Sequence, residues 1–144
     1  DVLEHIEDDA GALRRVRNAL TPGGLLFLTV PAGSHLFSGY DELLCHKRRY
    51  DLAPLRALVE QSGFSILKAS YFFFALYPLL ALTRRNRRSG AHGPEDAGRR
   101  LERELKIYPV ANEAFRAVME CEAQALRFVN FPIGGSIALA ARRA

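Results

Sequence analysis

One stretch constrains this chain more than any other: residues 25–30 read Leu-Leu-Phe-Leu-Thr-Val, directly after Thr21-Pro22-Gly23-Gly24. The run is apolar and does not alternate. Such a run suits a strand buried on both faces, as in a parallel sheet covered by helices. Ahead of the turn, Leu13, Val16 and Leu20 recur at helical spacing and predict a helix over residues 8–20. Asp8 and Asp9 stand in its first turn and Arg14, Arg15 and Arg17 follow, an order that complements the helix dipole. Proline and glycine then stop it. Helix, tight turn and buried strand make half of a βαβ unit, so the expected class is α/β.

Residues 31–50 carry little regular pattern. Structureless loops of that length are uncommon in compact domains and are often functional. This one leaves the carboxyl end of the expected strand, where open α/β sheets bind ligands. Asp51 is placed to cap a further helix, with Pro54 in its first turn, an apolar face of Leu55, Leu58 and Val59, and a stop at Gly63. Residues 64–74 read as a strand through Ile66, Tyr71 and Phe73. Residues 71–82 are the most apolar stretch, shorter than the roughly 20 residues a bilayer span requires. They read either as a strand end running into a buried helix or as an interfacial helix anchored by Arg84, Arg85, Arg87 and Arg88. Pro78 and the lack of any charge favour burial of Phe73 or Leu80. Residues 84–100 are expected to form a mobile loop. A helix over residues 112–127 should turn Phe115, Val118, Met119 and Leu126 inward, and Gly134-Gly135 leads into a last strand.

The 144 residues are 49% hydrophobic and 25% charged, a globular balance that can supply a core. The formal charge of +4 comes from local arginine clusters, which read as solvated surface. No interleaving of aromatic and basic residues marks a nucleic-acid reader, and no nucleic-acid partner is expected. Cys45 and Cys121 are too far apart and too few for a disulfide framework, so a reducing, cytoplasmic setting is expected. Neither CxxC nor HExxH occurs, and no metal is expected. The chain opens on Asp1 in what reads as the end of a strand, which suggests a fragment of a longer protein.

Asp1-Val2-Leu3-Glu4-His5-Ile6, a helix, and Leu20-Thr21-Pro22-Gly23-Gly24-Leu25-Leu26 follow in that order. Tyr40-Asp41-Glu42 then precedes His46-Lys47-Arg48-Arg49-Tyr50, Gly63-Phe64 follows a helix, and Phe131-Pro132-Ile133-Gly134-Gly135-Ser136 leads into the last strand. Together these motifs resemble class I S-adenosylmethionine-dependent methyltransferases of the small-molecule type, over nearly the whole chain. The resemblance implies a Rossmann-like methyltransferase sandwich. Residues 1–144 would be its carboxyl-terminal part, with later strands and helices only and an antiparallel last strand. The glycine-rich strand–turn–helix start of that family, and the acid that holds the ribose, do not occur, so the amino-terminal cofactor-binding part is expected to be missing. The implied activity of the intact protein is methyl transfer from S-adenosylmethionine to a small-molecule acceptor. Two alternatives stand beside it: a non-catalytic remnant or partner-binding module on the same fold, and a membrane-surface methyltransferase acting on a lipid-linked acceptor.

By the resemblance, Asp1 and the backbone around Leu3 and Glu4 face the cofactor and His5 points to the substrate side. Read without it, Glu4 and His5 are a helix-start pair, where an acid is simply favourable. His46 is a candidate base because histidine titrates near neutrality, with Asp41 or Glu42 to orient it. Arg49 suits bidentate pairing with a substrate carboxylate or phosphate, beside Tyr50. The same loop also reads as an internal salt-bridge cluster, the reading favoured for Asp41 and Arg48. If the loop faces substrate, His46→Ala and Arg49→Ala should lower activity and leave stability nearly unchanged. Cys45 is not expected to be a nucleophile, since no third orienting group accompanies it.

Overall fold

The structure, a computed structural model, describes residues 1–86 and 109–144. A short 3-10 turn at Leu3–His5 precedes α1 (Asp9–Ala19). Asp8 caps α1, its carboxylate accepting the Gly11 N–H at 2.8 Å. Gly23, at a φ of 76°, lets the chain turn back into β1 (Leu25–Pro31). A 3-10 turn (Ser34–Leu36) and α2 (Gly39–Leu43) follow. Then come α3 (Leu52–Gln61), β2 (Phe64–Phe72), α4 (Tyr77–Asn86), α5 (Pro109–Ala125) and β3 (Ser136–Arg143).

The sheet order is β1-β3-β2, and β3 runs antiparallel to both neighbours. β1 and β2 are therefore parallel to one another, with the last strand inserted between them. This is the α/β arrangement with an antiparallel last strand that the sequence leads one to expect. Gly134 permits the insertion: a Cβ there would lie 2.3 Å from the Phe72 carbonyl oxygen.

One face of the sheet carries the core. Val30, Ala69, Ile137, Leu139 and Ala141 cluster with Leu13 of α1 and with Leu55 and Val59 of α3. A register shift between Ile66 and Lys68 keeps Ile66, Ala69 and Tyr71 on that face and leaves Leu67 exposed. An extra residue of this kind restores the two-residue alternation that one strand would otherwise lose.

Several expectations are overturned here. β1 is not covered on both faces: Phe27 is 75% exposed, and Leu25 is exposed as well. β1 is an edge of this three-stranded sheet, and α1 and α3 pack on a single side. The end of α5 approaches the other side, where Lys68 Nζ donates to the Leu126 carbonyl. An apolar groove of about 430 Å³ stays between them, walled by Phe27, Thr29, Leu126 and Ala138. Val16 is exposed on α1, and Phe115 and Val118 are exposed on α5. Among its described residues, the one that α5 buries is Glu122, whose carboxylate accepts the N–H groups of Phe74 (3.1 Å) and Ala75 (3.2 Å).

The apolar stretch is a strand end running into a helix, as expected, but it is less buried than expected. Phe73 is 37% and Leu79 is 55% exposed, and Leu80 is half-buried. Pro78 does not break a helix; it sits in the first turn of α4, where a missing N–H costs nothing. Of the expected mobile loop, residues 84–86 belong to α4 and residues 87–100 lie outside the described residues. Asp51 takes the N-cap position of α3 without making a cap bond. Its carboxylate instead accepts the Ser34 N–H (3.2 Å) and hydroxyl (2.6 Å), tying the start of the preceding loop to α3. Among the described residues, no helix is long and apolar enough to cross a membrane.

Candidate active site

Residues 31–50 are not patternless. Ser38-x-x-Asp41 forms a capping box over α2, with Asp41 Oδ2 accepting the Ser38 N–H at 3.0 Å. Asp41 is fully buried and does more than cap. Its Oδ1 accepts from Arg49 Nε and Arg49 Nη2, both at 2.8 Å, and from His46 Nδ1 at 3.2 Å. Arg49 Nη1 reaches back to the Ala32 carbonyl at 2.9 Å, so the loop closes on the end of β1.

The outer side of the same loop is tethered to the chain's start. The Lys47 N–H donates to the Glu4 carbonyl at 2.8 Å. Arg48 donates to Asp9 and to the Glu7 carbonyl, each at 2.9 Å. The Lys47 ammonium bonds the exposed Glu7 carboxylate and holds its carboxyl below the ordinary value. The Tyr50 hydroxyl donates to Asp9 at 3.0 Å; burial and that neighbouring carboxylate push its ionisation well above the usual tyrosine range.

These tethers bring Glu4, His5 and His46 together. The two imidazoles meet edge to face, with centroids 4.7 Å apart. His5 Nδ1 lies 3.1 Å from the Cys45 carbonyl, which Cys45 presents from a left-handed backbone at φ 58°. A carbonyl only accepts, so the hydrogen-bond partner assigns the proton to Nδ1. Asp41 assigns the His46 proton to Nδ1 in the same way. Both Nε2 atoms then turn to Glu4 Oε1, at 3.8 Å from His5 and 4.0 Å from His46. Glu4 is 0% exposed, and neither of its carboxylate oxygens has a hydrogen-bond partner among the described residues.

The expected site residues thus separate. Glu4, His5 and His46 form one cluster. Asp1 is exposed at the surface, whereas Leu3 is buried in the core and its carbonyl lies 3.4 Å from the Tyr50 hydroxyl oxygen. Arg49 is buried, yet it also lines a cavity of about 230 Å³ with Pro31, Phe73, Leu76, Leu80 and Gly135. Tyr50 is a core residue whose hydroxyl donates to Asp9. The salt-bridge reading of Asp41 and Arg48 matches their geometry. Asp41, one of the two residues expected to orient His46, does so, and the Ser38-x-x-Asp41 spacing signals its capping role as well.

No family model matches the chain, and no curated protein matches it. The fold is similar to solved structures of methyltransferases. One is phosphoethanolamine N-methyltransferase 2 of Haemonchus contortus with S-adenosyl-L-methionine, at 18% identity and a TM-score of 0.47. A second structure of that enzyme, with phosphomonomethylethanolamine and S-adenosylhomocysteine, gives 19% and 0.47. A Bacillus halodurans protein described as a methyltransferase gives 15% and 0.48. Each alignment covers 99% of this chain, but only 31%, 32% and 61% of the respective neighbours.

Because Arg49 and Asp41 form a buried pair, Arg49→Ala should not be neutral for stability. It should cost about 3–5 kcal/mol by stranding the Asp41 charge, read by urea denaturation; a loss within error of zero overturns the pairing. Tyr50 gives a pH signature. Its folded-state ionisation lies above its unfolded value of 10.0, so its contribution is complete below pH 10 and declines as pH rises past it. Tyr50→Phe should lower stability by about 1 kcal/mol at pH 7, and the gap to the native chain should narrow above pH 10. Parallel stability curves for the two proteins would contradict this.

Proposed function

We propose that this chain works as the carboxyl-terminal part of a methyltransferase that moves a methyl group from S-adenosylmethionine to a small-molecule acceptor. The observation that carries the reading is the convergence of Glu4, His5 and His46. The turn at Leu3–His5 and the loop leaving β1 carry two of the motifs of the resemblance, and they meet in space. The β1-β3-β2 order with its antiparallel insertion agrees with the same family.

Methyl transfer is an in-line attack, so the protein's first task is to position the nucleophile. A base is needed where the nucleophile carries a proton at neutral pH. Asp41 holds the proton of His46 on Nδ1 and leaves Nε2 as a proton acceptor. Glu4 lies close enough to favour the imidazolium that results. The Cys45 carbonyl orients His5 in the same sense. Arg49, already anchored on Asp41, offers its remaining N–H groups to an anionic part of the acceptor in the adjoining cavity. Bound S-adenosylmethionine would supply a methyl group on a sulfonium. Of the residues expected at one edge of that cofactor's site, Asp1 is exposed beside the Leu3–His5 turn, while Leu3 and Glu4 would contribute backbone, since their side chains point into the protein.

In calorimetry the 144-residue chain should bind S-adenosylmethionine more weakly than micromolar, which corresponds to about 8 kcal/mol. A longer form that includes a glycine-rich amino-terminal part should bind it. In that form His46→Ala should lower kcat by about 100-fold or more, with cofactor affinity retained. Micromolar binding by the chain alone, or an unchanged kcat, would sink the respective half of the reading.

A second reading has one observation in its favour: Phe73, Phe74, Leu79 and Leu82 are exposed together ahead of the arginines. It makes the acceptor lipid-linked and the protein a membrane-surface enzyme. Binding to anionic vesicles should then persist in high salt and disappear on Phe74→Ser with Leu79→Ser. Salt-sensitive attraction alone, about 1 kcal/mol per arginine, leaves the small-molecule reading in place.

A further inference from the structure

We propose that Glu4, His5 and His46 form a binding site for a single divalent first-row transition-metal ion. One ligand atom from each residue lies within 4.8 Å of the other two. The argument starts from the hydrogen-bond partners. The Cys45 carbonyl accepts from Nδ1 of His5 and Asp41 accepts from Nδ1 of His46, so each ring, in its neutral form, presents a lone pair at Nε2. Both lone pairs face a carboxylate oxygen, which is also an acceptor. Three acceptors therefore converge with no donor among them. Such an arrangement repels itself unless positive charge stands in the middle.

Burial sharpens the point. Glu4 is entirely enclosed and both its oxygens lack a hydrogen-bond partner among the described residues. A buried carboxylate left alone costs several kcal/mol, and buried charges are as a rule paired or bound to metal. The outer partners are those that a metal-bound histidine ordinarily has: a carboxylate behind one ring and a backbone carbonyl behind the other, fixing tautomer and direction. Two imidazoles and one carboxylate suit zinc, cobalt, manganese or iron better than calcium or magnesium, which prefer all-oxygen sites.

Geometry and access agree. Zinc bonds of about 2.0–2.2 Å place tetrahedral donors about 3.4 Å apart. Glu4 Oε1 stands 3.8 and 4.0 Å from the two Nε2 atoms, so small side-chain rotations close the site. The His5 side chain is 40% exposed, which supplies an entry path and leaves coordination positions open to a ligand. Among the described residues three protein donors are present, as in sites that bind a substrate oxygen rather than closed structural sites. An acceptor hydroxyl on such an ion would lose its proton more readily, a task otherwise assigned to His46. The site rests on geometry alone and stands whether or not the chain takes part in methyl transfer.

The test uses the 144-residue chain stripped with a chelator and titrated with Co(II), read by visible absorption, and with Zn(II), read by calorimetry. A single ion should bind per chain, and saturating metal should raise the Tm. Glu4→Gln and His46→Ala should each weaken binding by at least about tenfold, no less than the loss of an outer-sphere partner brings. His35→Ala, at an imidazole outside the cluster, should bind as the native chain does. Should either buried variant fail to fold, His5→Ala keeps the test open, because His5 is exposed and its loss leaves the core intact. Absence of saturable binding, or binding that survives His5→Ala and His46→Ala together, overturns the proposal. Greater stability of Glu4→Gln with no metal uptake also overturns it, since protons then fill the gap.

Discussion

A buried carboxylate, that of Asp41, governs how the residues after β1 can run. It receives the Ser38 N–H and hydroxyl, the His46 ring and the Arg49 guanidinium, and it is closed off from water. An ionised group in that setting must be matched by donors, and breaking the match is costlier than never having made it. Four positions of the loop are therefore held at once: the start of α2, the direction of His46, the path of Arg49 and, through Arg49, the end of β1. The segment is a wall built on an internal pair rather than a solvated lid.

The outer tethers differ in kind. Lys47 on Glu7 and Arg48 on Asp9 join side chains that keep part of their surface in water. Pairs of this sort contribute little individually. Their work is registration: with the Lys47 N–H on the Glu4 carbonyl, they set the loop against the Leu3–His5 turn. Registration is what the cluster needs, because Glu4 and His5 come from one segment and His46 from the other. A slip of one residue along either would turn the rings apart.

The sheet supplies the platform. β3 lies between two parallel strands and bonds along both, so β1 and β2 are fixed relative to one another through it. Gly134 lets the chain pass against Phe72 on its way in, and the register shift in β2 keeps its apolar residues on the core side. One face is sealed by α1 and α3, and the opposite face keeps an apolar groove beside α5. The chemistry-bearing residues gather away from that groove, beyond the end of β1.

Local chemistry made much of the fold legible. The capped and charge-ordered α1, the Pro-Gly-Gly turn, the apolar β1, the helix ending at Gly63 and the final strand after paired glycines all follow from short-range rules, and the structure has each of them. The candidates Glu4, His5, His46 and Arg49 were legible by residue type and motif. Burial was not. An apolar run has the same letters whether one face or two are covered, so the exposure of Phe27 and Leu79 depended on which helices reached them. Nor does a sequence say which acceptor faces which donor. That Arg49 answers Asp41, that Tyr50 answers Asp9, and that a buried Glu4 meets two imidazole Nε2 atoms were decided only when the loop folded back on the start of the chain, because those distances are set by contacts between segments far apart in sequence.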